Sequence, residues 1–202
     1  MTDIATRIAE LDAIIQRHDL NQHAFYQDWR SGTLPMEKLA DYAGEYGRFV
    51  ATIDRGWDTL GFGNYAQEER EHVVMWGDFK KELDNPAGGN HPQTDVLVHT
   101  ASKLFGSKAE AVGALYAFEA QQPYTAQSKL EGLQEHYPQF SEVGREYFRV
   151  HASDFNEIED LRKVVEAMSE EEFQRAKSAC EMVCTAMWGA LDGIYFGQMA
   201  HA

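Results

Sequence analysis

Carboxylate and imidazole side chains recur at helical spacing in the segment "YAQEEREHVVMWGDFKKEL", residues 65–83. Glu68 and Glu69 precede His72 by four and three residues, so either carboxylate can share a helix face with the imidazole. Trp76, four residues after His72, indicates that this face is directed to the core. Carboxylates and imidazoles directed into a helical bundle are the ligands of helical di-iron sites. The alternative is a core histidine in an ordinary hydrogen bond, with a surface acid nearby.

A further acid, Glu119, lies in the largely apolar stretch "GALYAFEAQQPYTAQSK", residues 113–129. An ionised carboxylate in a dry core costs several kcal/mol unless a cation, a metal or several hydrogen-bond donors meet it. Pro123 follows four residues later, and its ring would clash with the Glu119 carbonyl in a regular helix. The sequence therefore predicts a kinked or locally opened helix at a buried acid, which is typical of a functional site. The alternative is a carboxylate that is partly solvated at the helix edge.

The segment "REYFRVHASDFNEIEDLRKVV", residues 145–165, supplies the remaining candidates. His151 follows an apolar turn and is expected to be half buried, and Asp154, three residues later, can share its face. Glu157 would lie about 120° from His151 around a regular helix. The alternative for each of these carboxylates is a solvated surface charge, because the whole segment is rich in acids.

Together the three segments supply a mixed set of candidate metal ligands: Glu68, Glu69, His72, Glu119, His151, Asp154 and Glu157. Oxygen and nitrogen donors in this mixture suit iron or manganese better than a closed zinc site. The core between the helices is rich in aromatic residues, namely Tyr26, Trp29, Tyr42, Tyr46, Trp76, Tyr116, Phe118, Tyr147 and Phe148. Aromatic residues at helical spacing are usually core packing, but beside an oxygen-activating metal they are also oxidisable.

The elements that must position these groups are helices, because apolar residues recur at helical spacing almost throughout and strand patterns are nearly absent. The predicted helices span residues 3–18, 21–31, 36–58, 64–84, 92–104, 107–136, 141–167 and 170–199. Ser169 with Glu172 predicts a capping box at the start of the last helix. We therefore predict an all-α bundle in which residues 1–202 form a single domain, without internal repeat or linker.

The composition argues against several classes of function. The chain has 202 residues with 33 acids and 18 bases, and its formal net charge of -15 repels nucleic acid and anionic membranes. No apolar run approaches the ~20 residues of a membrane-spanning helix, and the charged, amphipathic start is not typical of a signal peptide. Cys180 and Cys184, four residues apart in one predicted helix, are expected to be buried free thiols. They indicate a reducing compartment, and we expect a cytoplasmic protein.

Four motifs resemble a known family in order and spacing: "HAFYQDWRSGTLPMEKLADYAGEYGRFV", "EEREHVVMWGDF", "LYAFEAQQPYTAQSKLEGL" and "EYFRVHASDFNEIEDLR". They are similar to the Chlamydia protein associating with death domains (CADD) and its bacterial relatives. That family belongs to the heme-oxygenase-like di-metal oxidases, which share a fold with TenA and PqqC. The resemblance covers about residues 20 to 165, and the pattern "LYAxExQxPxxAxxKxxGL" is its most specific part.

The resemblance implies a heme-oxygenase-like bundle of seven to eight helices with two metal ions, di-iron or iron with manganese, between its core helices. It implies that Glu68 or Glu69, His72 and Glu119 are ligands. Family members form 4-aminobenzoate, a folate precursor, from a tyrosine of their own chain, and a lysine is implicated in amine supply. The matching positions here are Tyr26 and Lys129. The implied partners are dioxygen, a small-molecule or self-derived substrate, an external reductant and a second copy of the chain in a homodimer.

One part of the sequence departs from the family pattern. The later ligands of the family read His, then Asp four residues on, then His three further, whereas Phe155 and Ile158 occupy those places after His151. Deleting one residue from the pattern recovers Asp154 and puts Glu157 in the place of the last histidine. A deletion inside a helix rotates all that follows by ~100°. The second metal position is therefore substituted by a glutamate, reduced to one metal, or lost.

The leading hypothesis is a non-heme, dioxygen-using oxidoreductase in which Glu119 bridges two metals, His72 and His151 each bind one, and Tyr26 is oxidised. One alternative is a TenA-like hydrolase of thiamine fragments, which requires a mid-chain cysteine nucleophile that this chain lacks. Heme binding through His18 or His23 is another. The last is a metal-depleted, non-catalytic interaction protein of the same fold.

Overall fold

The computed structural model describes residues 4–197, and helices account for most of that range. They are α1 (Ile4–Arg17), a 3-10 helix (Leu20–Gln22), α2 (Ala24–Ser31), α3 (Met36–Val50), α4 (Ile53–Leu60), α5 (Gly63–Lys81), α6 (Pro92–Leu104), α7 (Lys108–Glu119), α8 (Gln122–His136), α9 (Glu142–His151), α10 (Asn156–Ala167) and α11 (Glu170–Phe196). No strand occurs between residues 4 and 197. The prediction of an all-α bundle is confirmed.

Three of the predicted helices are each divided in two. The divisions lie between α3 and α4, between α7 and α8, and between α9 and α10. The second division was predicted from Pro123, whose ring would clash with the Glu119 carbonyl in a continuous helix. In the structure Pro123 lies in the first turn of α8, where its missing N–H costs no helical hydrogen bond. The other two contain neither proline nor glycine, so the sequence did not predict them. The first residue of the predicted helix 3–18 and the last two of the predicted helix 170–199 lie outside the described residues.

The long helix α11 packs against α7 and α6, and its capping box at Ser169 and Glu172 is present as predicted. The closest approach is at Gly113 of α7, where any Cβ would overlap the backbone carbonyl of Ala176. A glycine is therefore required there for the two helices to pack at this distance. The pair α7 and α11 forms one wall of the bundle, and α7 ends at Glu119, one of the predicted site residues.

The predicted site residues on α5, α7, α9 and α10 define the candidate site. Helix α5 packs on α4 and α9, α7 packs on α4 and α10, and α8 packs on α2 and α9. Buried apolar side chains from all eleven described α-helices form one cluster around this region. The interpretation of residues 1–202 as a single domain stays a prediction. Between residues 4 and 197, no helix combines the length and the apolar character that crossing a membrane requires.

Candidate metal centre

Helix α5 carries the first two inward-facing groups, Glu69 and His72. Glu69 is wholly buried, and its Oε1 lies 2.9 Å from Nδ1 of His72. Glu68 is exposed, because one residue along a helix turns the side chain by about 100°. The sequence left open which glutamate accompanies His72, and the structure brings Glu69 to it.

The last residue of α9, His151, faces His72 with 4.1 Å between their ring centroids. Its Nδ1 donates to the carbonyl oxygen of Tyr147 at 2.6 Å, which leaves Nε2 as the unprotonated nitrogen. That Nε2 is buried and has no hydrogen-bond partner. Burial and the neighbouring His72 lower the pKa of His151 to about 3, so the ring is neutral at physiological pH. A neutral imidazole oriented through its other nitrogen is the form that binds metal ions.

Glu119 is the last residue of α7 and is 2% exposed. Burial, reinforced by the nearby carboxylates of Glu157 and Glu69, holds the pKa of Glu119 well above its usual range. Its Oε1 has no hydrogen-bond partner. The predicted local opening is confirmed, because α7 ends at Glu119 and α8 begins three residues later with Pro123 in its first turn. A buried acid and a break in the helix therefore coincide.

The expected regular helix through residues 141–167 is wrong, and the difference decides where Glu157 points. The chain leaves helical geometry after His151, and Oδ1 of Asp154 accepts hydrogen bonds from the backbone and the side-chain amide of Asn156. Asp154 thereby supports the start of α10 and stays partly exposed. Glu157, in the first turn of α10, is 6% exposed and has an unpartnered Oε1. Burial and the charge of Glu69 raise its pKa.

These side chains form two adjoining groups whose potential ligand atoms lie within 4.8 Å of one another. One consists of Glu69, His72 and His151, and the other of Glu69, Glu119 and Glu157. Glu69 belongs to both, whereas Glu119 belongs to one. Over residues 4–197, neither group includes the other two candidates, Glu68 and Asp154, because the first faces solvent and the second supports α10.

The chemistry of the two groups fits a bound cation. Four of their buried ligand atoms have no hydrogen-bond partner in the structure: Oε2 of Glu69, Oε1 of Glu119, Oε1 of Glu157 and Nε2 of His151. Three carboxylates are buried together, and within the described chain none of them forms an ion pair with a lysine or arginine. Leaving such groups unsatisfied is costly, and a metal ion would satisfy them together. The structure therefore contains carboxylate and histidine groups able to bind a metal.

Tyr26 and Lys129, the other two predicted site residues, contact each other in the core. The Lys129 Nζ lies 3.5 Å from the Tyr26 hydroxyl, 3.4 Å from the Tyr42 hydroxyl and 4.7 Å from the Tyr26 ring centroid. The two tyrosine hydroxyls are 2.8 Å apart. Both predicted residues are almost wholly buried, and within the described chain no carboxylate pairs with Lys129. Glu119 is therefore not neutralised by this lysine.

Burial controls the protonation of this pair. It lowers the pKa of Lys129 to about 7, so a large fraction of the amine is neutral at physiological pH. It also raises the pKa of Tyr26, which keeps the phenol protonated. A neutral amine has a free lone pair, so Lys129 can act as a nucleophile or as a base toward a neighbouring ring.

An aromatic path connects the two regions. The Tyr147 ring lies 4.2 Å from His151 and 4.8 Å from Trp76, and Trp76 lies 5.7 Å from Tyr42. Gln122 donates to the Tyr147 hydroxyl at 2.7 Å, which fixes that ring. Helical spacing assigned these aromatics to the core, and no pattern in the sequence singled out Gln122. Its place next to Pro123, at the start of α8, was the available signal.

The groups needed by the alternative functions are engaged elsewhere. Cys180 and Cys184 are wholly buried in α11, and the contact between them together with burial raises the pKa of the Cys180 thiol. Nδ1 of His23 accepts from the Phe25 backbone, and its Nε2 lies 3.1 Å from Asp192. Nδ1 of His18 lies 3.1 Å from the Ile14 carbonyl oxygen. Neither a reactive thiolate nor a free axial histidine is provided by these residues.

The fold class is that of the TenA homologues. The solved TenA homologue of P. horikoshii OT3 superposes with a TM-score of 0.76, at 16% identity, over 95% of this chain and 99% of that one. A TenA homologue from Pseudomonas syringae gives a TM-score of 0.73 at 16% identity, over 93% and 92% of the two chains. At this identity the likeness establishes the fold alone.

Curated relatives narrow the class. The chain is 26% identical to a protein of Chlamydia muridarum over 91% of its own length and 87% of the relative's. It is 27% identical to one of Nitrosomonas europaea over 92% and 89% of the two lengths. Both relatives are named 4-aminobenzoate synthase. No family model matches the chain. The resemblance to the CADD-like proteins of the heme-oxygenase-like fold is confirmed, and the relatives are enzymes by name.

Proposed function

We propose that this chain is a metal-dependent, dioxygen-using oxidoreductase that makes 4-aminobenzoate, with its own Tyr26 as the source of the ring. The names of the curated relatives support the product. A second copy of the chain in a homodimer and an external reductant are part of the proposal. The observation that carries it is the pair of ligand groups that share Glu69, with four buried ligand atoms that have no hydrogen-bond partner among residues 4–197.

The proposed ligands are Glu69, His72, His151, Glu119 and Glu157, and the proposed ions are two irons or an iron and a manganese. Three carboxylates and two imidazoles suit these metals. Glu69 would hold both ions, a role that the sequence assigned to Glu119, since among residues 4–197 Glu69 alone is common to both groups. Glu157 replaces the histidine of the family pattern, and the break before α10 turns it inward. The second position is then substituted and not lost.

Metal ions bound here would supply the activation of dioxygen for oxidation of side chains. The residues of the chain hold the ligands in place. The Tyr147 carbonyl fixes the ring of His151, Glu69 accepts from His72, and Gln122 fixes the Tyr147 ring. The rings of Tyr147, Trp76 and Tyr42 form successive contacts from His151 to Tyr26 and would be the route for electrons between the two regions.

Formation of 4-aminobenzoate from Tyr26 requires specific bond changes at Tyr26 and a source of nitrogen. A tyrosine ring carries a methylene and a para hydroxyl, whereas 4-aminobenzoate carries a carboxylate and a para amine. The Cα–Cβ bond of Tyr26 must therefore break, Cβ must be oxidised to a carboxylate, and nitrogen must replace the phenolic oxygen. Dioxygen and the external reductant supply the redox balance. The Lys129 amine, 3.5 Å from that phenolic oxygen, is placed to supply nitrogen to the ring. Its Nζ would condense with the oxidised ring carbon and expel the phenolic oxygen as water. Hydrolysis after a proton shift would then break the Cε–Nζ bond, leaving the amine on the ring and Cε as an aldehyde.

The first test is metal content. Protein without a histidine tag is loaded with iron without oxygen, and metal per chain is measured for wild type, Glu119→Ala, Glu69→Gln and Glu68→Gln. We expect about two irons in wild type, loss of both in Glu69→Gln, a reduced content in Glu119→Ala, and no change in Glu68→Gln. Metal-free wild type would refute the proposal.

The second test follows the ring. Protein made with ring-labelled tyrosine is loaded with metal, given dioxygen and a reductant, and assayed for labelled 4-aminobenzoate. Tyr26→Phe should abolish the product while keeping its metal, and Tyr137→Phe, a buried tyrosine bonded to the Leu34 carbonyl, should not. Full activity of Tyr26→Phe would exclude a self-derived ring and leave a small-molecule substrate.

A further inference from the structure

A surface cavity of about 270 Å³ lies against the candidate metal centre. Glu119 lines it, as do Pro123 from the start of α8 and Ile158, the neighbour of Glu157. Helix α1 closes the other side with Gln16. The volume is enough for several water molecules. The larger groove between α6 and α11 borders none of the five proposed ligands.

Two interruptions between helices, one between α7 and α8 and one between α9 and α10, border this cavity. Ala120 lies in the break between α7 and α8, and Pro123 lies in the first turn of α8 directly after it. Phe155 is the last residue of the break between α9 and α10, and Ile158 lies in the first turn of α10. Both breaks face the same space. A continuous α7–α8 helix or α9–α10 helix would carry backbone through this space, so the features that turn Glu119 and Glu157 inward also leave a passage beside them.

Two aromatic rings stand at the outer end of the cavity. Tyr124 is 63% exposed and Phe155 is 43% exposed, and their rings meet edge to face with 6.0 Å between centroids. Both line the cavity. Side chains with this much exposed surface can change rotamer more readily than core residues, so the width of the opening depends on these two rings.

We propose that this cavity is the passage through which dioxygen and other small molecules reach the Glu119 side of the metal centre, with Phe155 and Tyr124 setting its width. The inference rests on the proposed function. Tyr26 and Lys129 do not line the cavity. The passage therefore serves the metal side, and the ring to be oxidised stays enclosed in the core.

The first experiment measures access without any metal. Ala120→Cys places a thiol in the cavity, and the native Cys180 and Cys184 are wholly buried, so the reaction with methyl methanethiosulfonate reports the new thiol. Adding Gln16→Trp should slow this reaction about fivefold or more, because it fills the cavity from α1. Adding Phe155→Ala should speed it. The matched control is Gln174→Trp, an exposed glutamine that lines the other groove, and it should change nothing.

The second experiment measures arrival at the metal. Nitric oxide, a surrogate of dioxygen, is mixed with the iron-loaded, reduced protein, and its association rate is followed by absorbance. Gln16→Trp should lower this rate and Phe155→Ala should raise it, with iron content unchanged and Gln174→Trp equal to wild type. If the variants change the rate of thiol labelling but not the rate of nitric oxide binding, the cavity is not the passage to the metal. If they change neither rate, the same conclusion holds. Both results leave the proposed function standing. A wild type that binds no iron would overturn the proposed function and the passage together.

Discussion

Two clusters of buried acids and histidines differ in how their charges are satisfied. In the first, on α3 and the loop before α6, Glu45 accepts from the Asn90 backbone at 2.5 Å and pairs with Arg48 at 3.4 Å. His91 lies 2.8 Å from Asp41, and only its Nδ1 lacks a partner. In the second, the candidate metal centre, four ligand atoms lack partners.

Burial of an acid is therefore a poor indicator of a metal by itself. Glu45 and Glu69 are both wholly buried, and both clusters have ligand atoms within 4.8 Å of one another. The protein's own donors and Arg48 account for the first cluster, which fastens the loop before α6 to α3. In the second cluster, four buried ligand atoms have no hydrogen-bond donor or cation among residues 4–197, and a bound cation would satisfy them.

The largest expected difference between the clusters is in metal and product. Glu69→Gln should abolish metal binding and 4-aminobenzoate formation, because it removes the ligand common to both groups. Glu45→Gln, an equally buried glutamate on α3, should keep both. Metal content and product are measured on the same preparations. Equal metal loss in the two variants would erase the distinction between the clusters.

The cations of the two regions also differ in their pairing. Arg48 is paired with Glu45 and Asp95, whereas among residues 4–197 no carboxylate pairs with Lys129. The pKa of Lys129 is lowered to about 7 in the folded state from 10.5. Between these values the unfolded state binds more protons, so the free energy of unfolding should rise with pH, by at most about 1.4 kcal/mol per pH unit. Lys129→Met should remove this slope.

Urea unfolding at several pH values between neutral and mildly alkaline measures that slope. Lys103→Met, at an exposed position of α6, is the control and should retain it. A slope that persists in Lys129→Met would mean that the lysine stays charged in the folded protein.

In the metal-free protein, substitutions of two buried glutamates should have different effects on the free energy of unfolding. In chelated protein at mildly alkaline pH, Glu119→Gln should be neutral or stabilising, because it removes one of three crowded carboxylates. Glu45→Gln should destabilise by about 1–3 kcal/mol, because it weakens bonds to Asn90 and Arg48. Thermal melting in the presence of a chelator measures both.

The pH dependence of that difference follows from the pKa of Glu119, which is raised in the folded state above its usual value of 4.5. Between the two values the folded state binds more protons, so this residue's contribution to stability falls as pH rises. The advantage of Glu119→Gln over wild type should therefore shrink on acidification toward pH about 5. A constant advantage would show that Glu119 is not protonated in the metal-free protein.

The smallest change in stability is expected at Asp41, the partly exposed member of the first cluster. Asp41 is partly exposed, and Asp41→Asn should cost about 0.5–1 kcal/mol through the weakened contact with His91. Metal content and product should be unchanged. A loss of metal in this variant would make the first cluster a second metal site.

The sequence predicted the parts of the site that depend on local patterns. Glu119 in an apolar run and Pro123 four residues later predicted a buried acid at a helix break, and both features are present. The choice between Glu68 and Glu69 could not be made, because the apolar face of α5 is broad enough to include either. The break after His151 was not predicted, since no glycine or proline marks it and Asp154 can also sit in a helix.

Contacts between residues far apart in the sequence could not be predicted from local patterns of residue types. Lys129 and Tyr26 are 103 residues apart, and only the family resemblance placed them together. The path through Tyr147 and Trp76 likewise depends on how α5 and α9 pack. Periodicity assigns such aromatics to the core without saying which of them contact one another.

The loop between α9 and α10 has a consequence for how this protein can diverge. Glu69 and His72 share one continuous helix, so inserting a residue between them would turn one of them away from the other. His151 and Glu157 lie on different helices instead, and a four-residue loop joins α9 to α10. Helix α10 is held by its own apolar face at Ile158, Leu161 and Val165. Gains and losses of residues in that loop can be absorbed while both helices stay docked. The proposed ligand on α10 is thus free to change identity and position between related proteins, whereas the pair on α5 is not.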